Sequence, residues 1–441
     1  MSRFAKNIFG ICIAAVALSG GVAFATAGTK EFSVLHTFCA KQNCSDGEEP
    51  IGSLVADTLG NLYGTTSNGG STNCFEGCGT VFRLGTDGSY KVLYTFCSEN
   101  ASCPDGYMPL SPLIFDSSGD LIGTTLEGGA QDDGGTVFKL TPKGKETVLY
   151  NFCNKAGCAD GQGPAGTIVM DRKGNLYGET TSGGSTGGED GTIFKLSPDG
   201  KEKALYSFCA QDGCVDGLNP WGGLVMDRDG NLYGTTKNGG AHLDACSYVD
   251  VDFCGTVFKM SPNGKETVLY SFCAKEYCSD GEGPLWGVIL DGDGNLYGTT
   301  LTGGNLNPNC ENFGGGSEGG CGVVFEVHPD STEKVLYAFC GRANCTDGDF
   351  PSSGVTLKAG KDGTMIYGVA EFGGPEGEYG EGVLYSLSGG TETVLHAFCG
   401  IPDCLDGTYP IGDLLVDGRS LIGATWLGGK YNQGTVFRFS E

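Results

Sequence analysis

Residues 153–209 read CNKAGCADGQGPAGTIVMDRKGNLYGETTSGGSTGGEDGTIFKLSPDGKEKALYSFC. Two cysteines with four residues between them open the stretch, and an Asp-Gly turn and a proline follow. Four short apolar runs come after, GTIVMD, NLYGET, GTIFKL and KALYSF, divided by Gly, Asp and Ser. Each run has the length and the β-branched or aromatic content of a strand. The unit therefore predicts a four-stranded antiparallel meander.

Working outward, copies of the unit begin at Cys39, Cys97, Cys153, Cys209, Cys273, Cys340 and Cys399. Four strands repeated at this period are the signature of a β-propeller, whose sheets bury their faces against one another around an axis. The fold class expected is all-β, a seven-bladed propeller. Its last blade is incomplete in order: the chain ends on GTVFRFSE, one strand short, while residues 32–38, FSVLHTF, match an outermost strand with no blade before them. Pairing the two would close the ring and remove a free sheet edge. In the sixth copy Lys358 stands where the others carry Asp, and that blade is expected to be less regular.

Residues 1–27 stand apart, with Arg3 and Lys6 before an apolar run from Ile8 and small residues after it. This reads as a secretory signal peptide, which leaves 28–441 as one propeller domain, secreted or periplasmic. No later run reaches the ~20 apolar residues of a membrane helix. A formal charge of −26 disfavours nucleic acid and anionic lipid as partners.

Of 21 cysteines, Cys12 falls in the leader and twenty remain. In an exported chain they predict disulfides. Seven are the repeat pairs, Cys39–Cys44, Cys97–Cys103, Cys153–Cys158, Cys209–Cys214, Cys273–Cys278, Cys340–Cys345 and Cys399–Cys404. Three more lie within single loops, Cys74–Cys78, Cys246–Cys254 and Cys310–Cys321. Zinc is disfavoured because no pair has a second pair or histidine at ligand spacing in the sequence.

The repeated wording GNLYGTT, Gly-Gly, GTVFKL and YSF resembles the GloVer tandem repeat, the Gloeobacter and Verrucomicrobia repeat of secreted bacterial proteins with varied C-terminal anchors. The resemblance spans about 31–440. It implies an exported repeat protein and carries no established activity or site residue. Unlike anchored members, this chain stops at Glu441 directly after a strand.

The linker and second-loop rim, where the sequence varies most, holds the candidate sites. Trp221 and Trp286 follow linker prolines in two neighbouring copies that also hold the longest insertions, 241–254 and 305–321, with His242 in the first. They offer an aromatic platform for a sugar or an apolar side chain; packing beneath the insertions is the alternative. The linker aspartates Asp46, Asp105, Asp160, Asp216, Asp280, Asp347 and Asp406 precede Gly in every copy. Their turn role is favoured, with a carboxylate ring holding calcium as the alternative and no other cofactor or metal expected. DRDGN and DGDGN (227–231, 291–295) depart from an EF-hand loop in glycine position and read as hairpin turns. Residues 315–319 match a hydrolase elbow around Ser317, and Gly314, Gly316 and Gly319 a dinucleotide loop, only formally, since both motifs need a strand feeding a helix and this stretch lies in a Gly-rich loop between Cys310 and Cys321. A monomeric, non-catalytic binding protein for an extracellular glycan, peptide or partner protein is the expected function. A polysaccharide hydrolase or lyase with acid/base residues around the channel mouth is the alternative.

Overall fold

The computed structural model describes residues 30–130, 134–185, 188, 190–242, 254–305, 307, 310, 320–360, 363–375 and 380–441. Residues 1–27, read above as a signal peptide, Cys246 and residues 315–319 lie outside them. Seven antiparallel sheets, each of four or five strands, form the blades of a β-propeller. Blade 1 runs from inside to outside through Val55–Ala56, Leu62–Thr66, Thr80–Leu84 and Tyr90–Thr95. Blade 7 takes Thr408–Asp417, Ser420–Leu427 and Thr435–Ser440 from the C-terminus and its outermost strand, Glu31–Thr37, from the other end of the chain. Phe32 pairs with Phe439 and Thr37 with Thr435, so the ring is closed by the expected strand.

The repeated phenylalanine of YSF holds neighbouring blades together. Phe38, Phe96, Phe152, Phe208, Phe272, Phe339 and Phe398 are all fully buried. Each meets, edge to face, the aromatic residue on the third strand of the next blade, with ring centroids 4.9–5.2 Å apart. The partner ring lies across the glycine of the second strand. At Gly64 an added Cβ would sit 2.8 Å from Phe82, which is why the LYG motif ends without a side chain. Paired threonine hydroxyls, such as Thr66 and Thr80 at 2.9 Å, satisfy each other between the second and third strands.

The innermost strands are shorter than the sequence suggests. In blades 1, 2 and 4 the run after the proline pairs in its own sheet over only two residues before the turn. The residues just after the proline instead circle the axis against the neighbouring blade. Thr167 bridges Gly223 in parallel, and the Asp413 N–H donates to Ser53 Oγ at 2.7 Å. Backbone groups that would be orphaned in the channel wall are thus satisfied between blades. Blade 6, where irregularity was expected, is a five-stranded sheet, and residues 361–362 and 376–379 of its turn and acidic loop lie outside the described residues. Thr356–Gly360 pairs over five residues with Gly363–Phe372, and Lys358 reaches Glu441 at 3.1 Å.

Each linker is a bridged loop. Both cysteines of every repeat pair have positive φ, 45–59°, a region that is costly for residues other than glycine. The bridges join Cys39–Cys44, Cys97–Cys103, Cys153–Cys158, Cys209–Cys214, Cys273–Cys278, Cys340–Cys345 and Cys399–Cys404 as expected. Cys74–Cys78 and Cys310–Cys321 are also formed, and Cys254 is bridged. The extra bridges lie against linker bridges, with Cys74 Sγ 3.9 Å from Cys103 Sγ. No helix among the described residues is long and apolar enough to cross a membrane.

Candidate functional site

Every blade delivers a short segment to one mouth of the channel: the residues flanking the linker proline and the residue that follows the second strand's GTT motif. In blades 1–3 the lining residues are small or aliphatic. Blade 4 carries Trp221 and Lys237, blade 5 Leu285, Trp286 and Leu301, blade 6 Phe350 and Glu371, and blade 7 Ile411, Asp413 and Trp426. Together with Ile51, Leu110 and Ala165 of blades 1–3 they enclose an axial pocket of about 430 Å³.

All three tryptophans of the chain line this pocket, each of them half-buried. Trp286 occupies the second position after the proline, which is Gly or Ser in every other blade. The reason is spatial: at Gly222 a Cβ would come within 2.0 Å of the Gly287 nitrogen. Trp426 was not singled out from the sequence, although it stands where other blades have Ser67, Leu126, Thr181 or Leu301. Phe350 and Tyr409 were missed as well. They precede their prolines with φ of 51° and 53°, at a position that is Gly in blades 3 and 5. From there an aromatic chain runs along blades 6 and 7, Phe350 to Phe372 at 5.9 Å, Phe372 to Tyr409 at 5.3 Å and Tyr409 to Trp426 at 6.4 Å. His242 is not among the residues lining the pocket; its carbonyl oxygen lies 3.2 Å from Cys254 Sγ.

The pocket wall also holds ionisable groups with shifted affinities for protons. Burial pushes the Glu371 carboxyl up to about 7 and that of Asp413 to about 6, the Gly354 N–H opposing the rise at Asp413. Burial lowers Lys237. Behind the wall, Glu179 replaces the threonine of the GTT motif and is fully buried. Its Oε2 accepts the Gly223 N–H at 2.8 Å, and desolvation still pushes it up to about 8.

The linker aspartates are engaged inside their own loops. Asp160 accepts the N–H groups of Asn154 and Lys155, both at 3.0 Å, and the Tyr150 hydroxyl at 2.7 Å. Asp216, Asp280 and Asp347 repeat this pattern, and Asp46 takes the same two N–H groups. Asp105 receives Tyr94 and the Cys97 N–H, and Asp406 receives His396 at 3.1 Å. Six of the seven carboxylates thereby pin the linker to the outer strand, whereas Asp46 holds only its own turn. On the opposite rim Asp227 and Asp291 accept the N–H groups two and four residues on, as hairpin turns require.

Fold and site together define a seven-bladed β-propeller repeat protein with an asymmetric aromatic pocket at one end of its axis. The Gloeobacter/Verrucomicrobia repeat matches residues 77–309, more than half of the chain, and the chain belongs to that family. Among proteins of curated function none matches it in sequence. Similar solved structures include a putative gluconolactonase, at 12% identity and a TM-score of 0.43 over 93% of this chain and 92% of that one. A luciferin-regenerating enzyme is similar at 13% identity and 0.40, covering 93% and 95%. PorZ, a surface component of the type-IX secretion system of Porphyromonas gingivalis, is similar at 14% identity and 0.47, over 90% of this chain and 46% of that one.

Proposed function

We propose that this chain is a secreted, non-catalytic binding protein that seats an apolar or aromatic group of a glycan, peptide or partner protein in its axial pocket. The observation that carries the reading is the convergence of Trp221, Trp286 and Trp426, the only tryptophans in the sequence, on one pocket built by all seven blades. Seven near-identical blades supply a rigid frame, and the departures from their pattern gather where a ligand would enter. Large flat side chains contribute much binding area for little lost rotamer freedom. A second reading, a polymer hydrolase or lyase, draws support from Glu371 and Asp413, whose raised proton affinities suit general acid work.

The test is a glycan and peptide screen read by intrinsic tryptophan fluorescence, with product analysis on every responding polymer. A response that disappears in Trp426→Ala and Trp221→Ala while the melting temperature is kept supports the binding reading. Shortened ligand would replace it by the enzyme, and full affinity in both variants would refute the pocket.

A further inference from the structure

The wall contributed by blades 6 and 7 differs chemically from the rest of the pocket. It combines the aromatic chain that ends on Tyr409 and Trp426 with the carboxyls of Glu371 and Asp413. Asp349, Glu381 and Glu371 lie close enough to influence one another or Tyr409 electrostatically, which extends the acidic character toward the mouth. Lys237 enters from blade 4, and Glu179 sits behind the wall between blades 3 and 4. Indole and phenol faces carry negative quadrupole potential, and a half-desolvated carboxyl beside them gains when a positive charge arrives. A carboxylate or phosphate ligand would have to sit against this wall with the opposite preference.

We infer that the axial pocket selects an organic cation, an ammonium group carried on an apolar body and seated between the indole faces and the Glu371 and Asp413 carboxyls. The inference rests on the pocket reading above and adds the charge of the ligand. Burial that raises the proton affinity of both carboxyls agrees with it, because a bound ammonium would restore the charge they otherwise give up. The acidic surface of the whole chain, −26 in formal charge, also concentrates cations near the mouth.

Two probes of one shape, acetylcholine and its uncharged isostere 3,3-dimethylbutyl acetate, separate charge from shape, and a shorter anion that keeps the tert-butyl group, 3,3-dimethylbutanoate, tests the opposite charge. Because every tryptophan lines the pocket, fluorescence quenching of the full chain reports occupancy of this site. The cation should bind about tenfold more tightly than the isostere, and the anion least. Glu371→Gln and Asp413→Asn, both near-isosteric, should each remove most of that preference while the isostere's affinity stays unchanged and the melting temperature does not fall. Equal affinity for cation and isostere, preference for the anion, or a cation preference that survives both substitutions overturns the inference and leaves the pocket standing. Silence toward all three probes at millimolar concentration overturns the pocket reading as well.

Discussion

Replacing Phe38 by Ala tests whether the ring is joined by its own ends. Phe38 follows the N-terminal strand, is fully buried, and meets Phe82 of blade 1 at 5.2 Å and 65°. Phe208 holds the equivalent place between blades 3 and 4, where the chain is continuous; it too is fully buried and meets Phe258 at 5.1 Å and 62°. Truncating a buried phenylalanine costs about 3–5 kcal/mol through lost burial and the cavity left behind. Both rings are fully buried and meet the next blade's phenylalanine in nearly the same geometry, Phe38 with an added edge contact to Tyr90 at 5.9 Å, so Phe38→Ala should destabilise at least as much as Phe208→Ala, to within about 1 kcal/mol. Urea unfolding followed by tryptophan fluorescence measures both. If Phe208→Ala loses several kcal/mol while Phe38→Ala loses less than about 1, the N-terminal strand does not close the ring and the reasoning fails. Deleting residues 30–38 should cost more than either substitution, because the whole ladder from Glu31 to Thr37 on the last strand goes with Phe38.

Glu179 gives a pH signature. Its proton affinity rises from the ordinary value of 4.5 to about 8 in the fold, so its contribution is most favourable below pH 4.5 and is lost as pH rises toward 8. Glu179→Gln keeps an acceptor for the Gly223 N–H and cannot ionise. It should match the parent's stability near pH 5 and exceed it at pH 9 by on the order of 4 kcal/mol; parallel melting curves across that range would refute the assignment. Peptide mapping without reduction should recover the nine described bridges intact and place the partner of Cys254 at Cys246, and any peptide joining two blades' cysteines contradicts that pairing.

The features readable in the sequence are those written seven times. The strand runs, the Asp-Gly linkers, the cysteine pairs and the closing strand each have a local cause that repeats, so one copy explains the others. Trp221 and Trp286 were visible because each interrupts that repetition beside a proline. Trp426 breaks the repeat too, but at a strand end, where alternation alone does not say whether a side chain faces the channel or a neighbouring blade. Phe350 and Tyr409 were hidden for a different reason: left-handed backbone at the residue before proline is set by the fold of the linker, and only coordinates show it. Glu179 gives no signal in the sequence, since its burial depends on the approach of blade 4.

Within this one chain, then, the variable positions and the constant ones separate in space. The blade junctions, linker carboxylates and hairpin turns keep their chemistry from copy to copy, whereas the residue after the proline and the residue after GTT differ in almost every blade. A frame that needed those axial residues for stability would restrict them to a narrow set of shapes. Ser, Leu, Thr, Lys, Glu and Trp at one position argue against that. A symmetrised variant should therefore fold: Trp221→Ile, the residue of blades 1 and 7; Glu371→Thr, the residue of blade 3; and Trp426→Leu, the residue of blades 2 and 5. Each replacement is already accommodated elsewhere in the ring. Lost area at the two half-buried indoles should reduce stability by about 1–3 kcal/mol in total, well below one blade-junction phenylalanine pair. Ligand responses measured through the remaining Trp286 should fall at least tenfold. Cooperative unfolding at nearly the parent's urea midpoint together with lost binding places specificity in the axial residues. A variant that fails to fold, or that binds unchanged, shows instead that the aromatic cluster is packing and that recognition lies elsewhere on the ring.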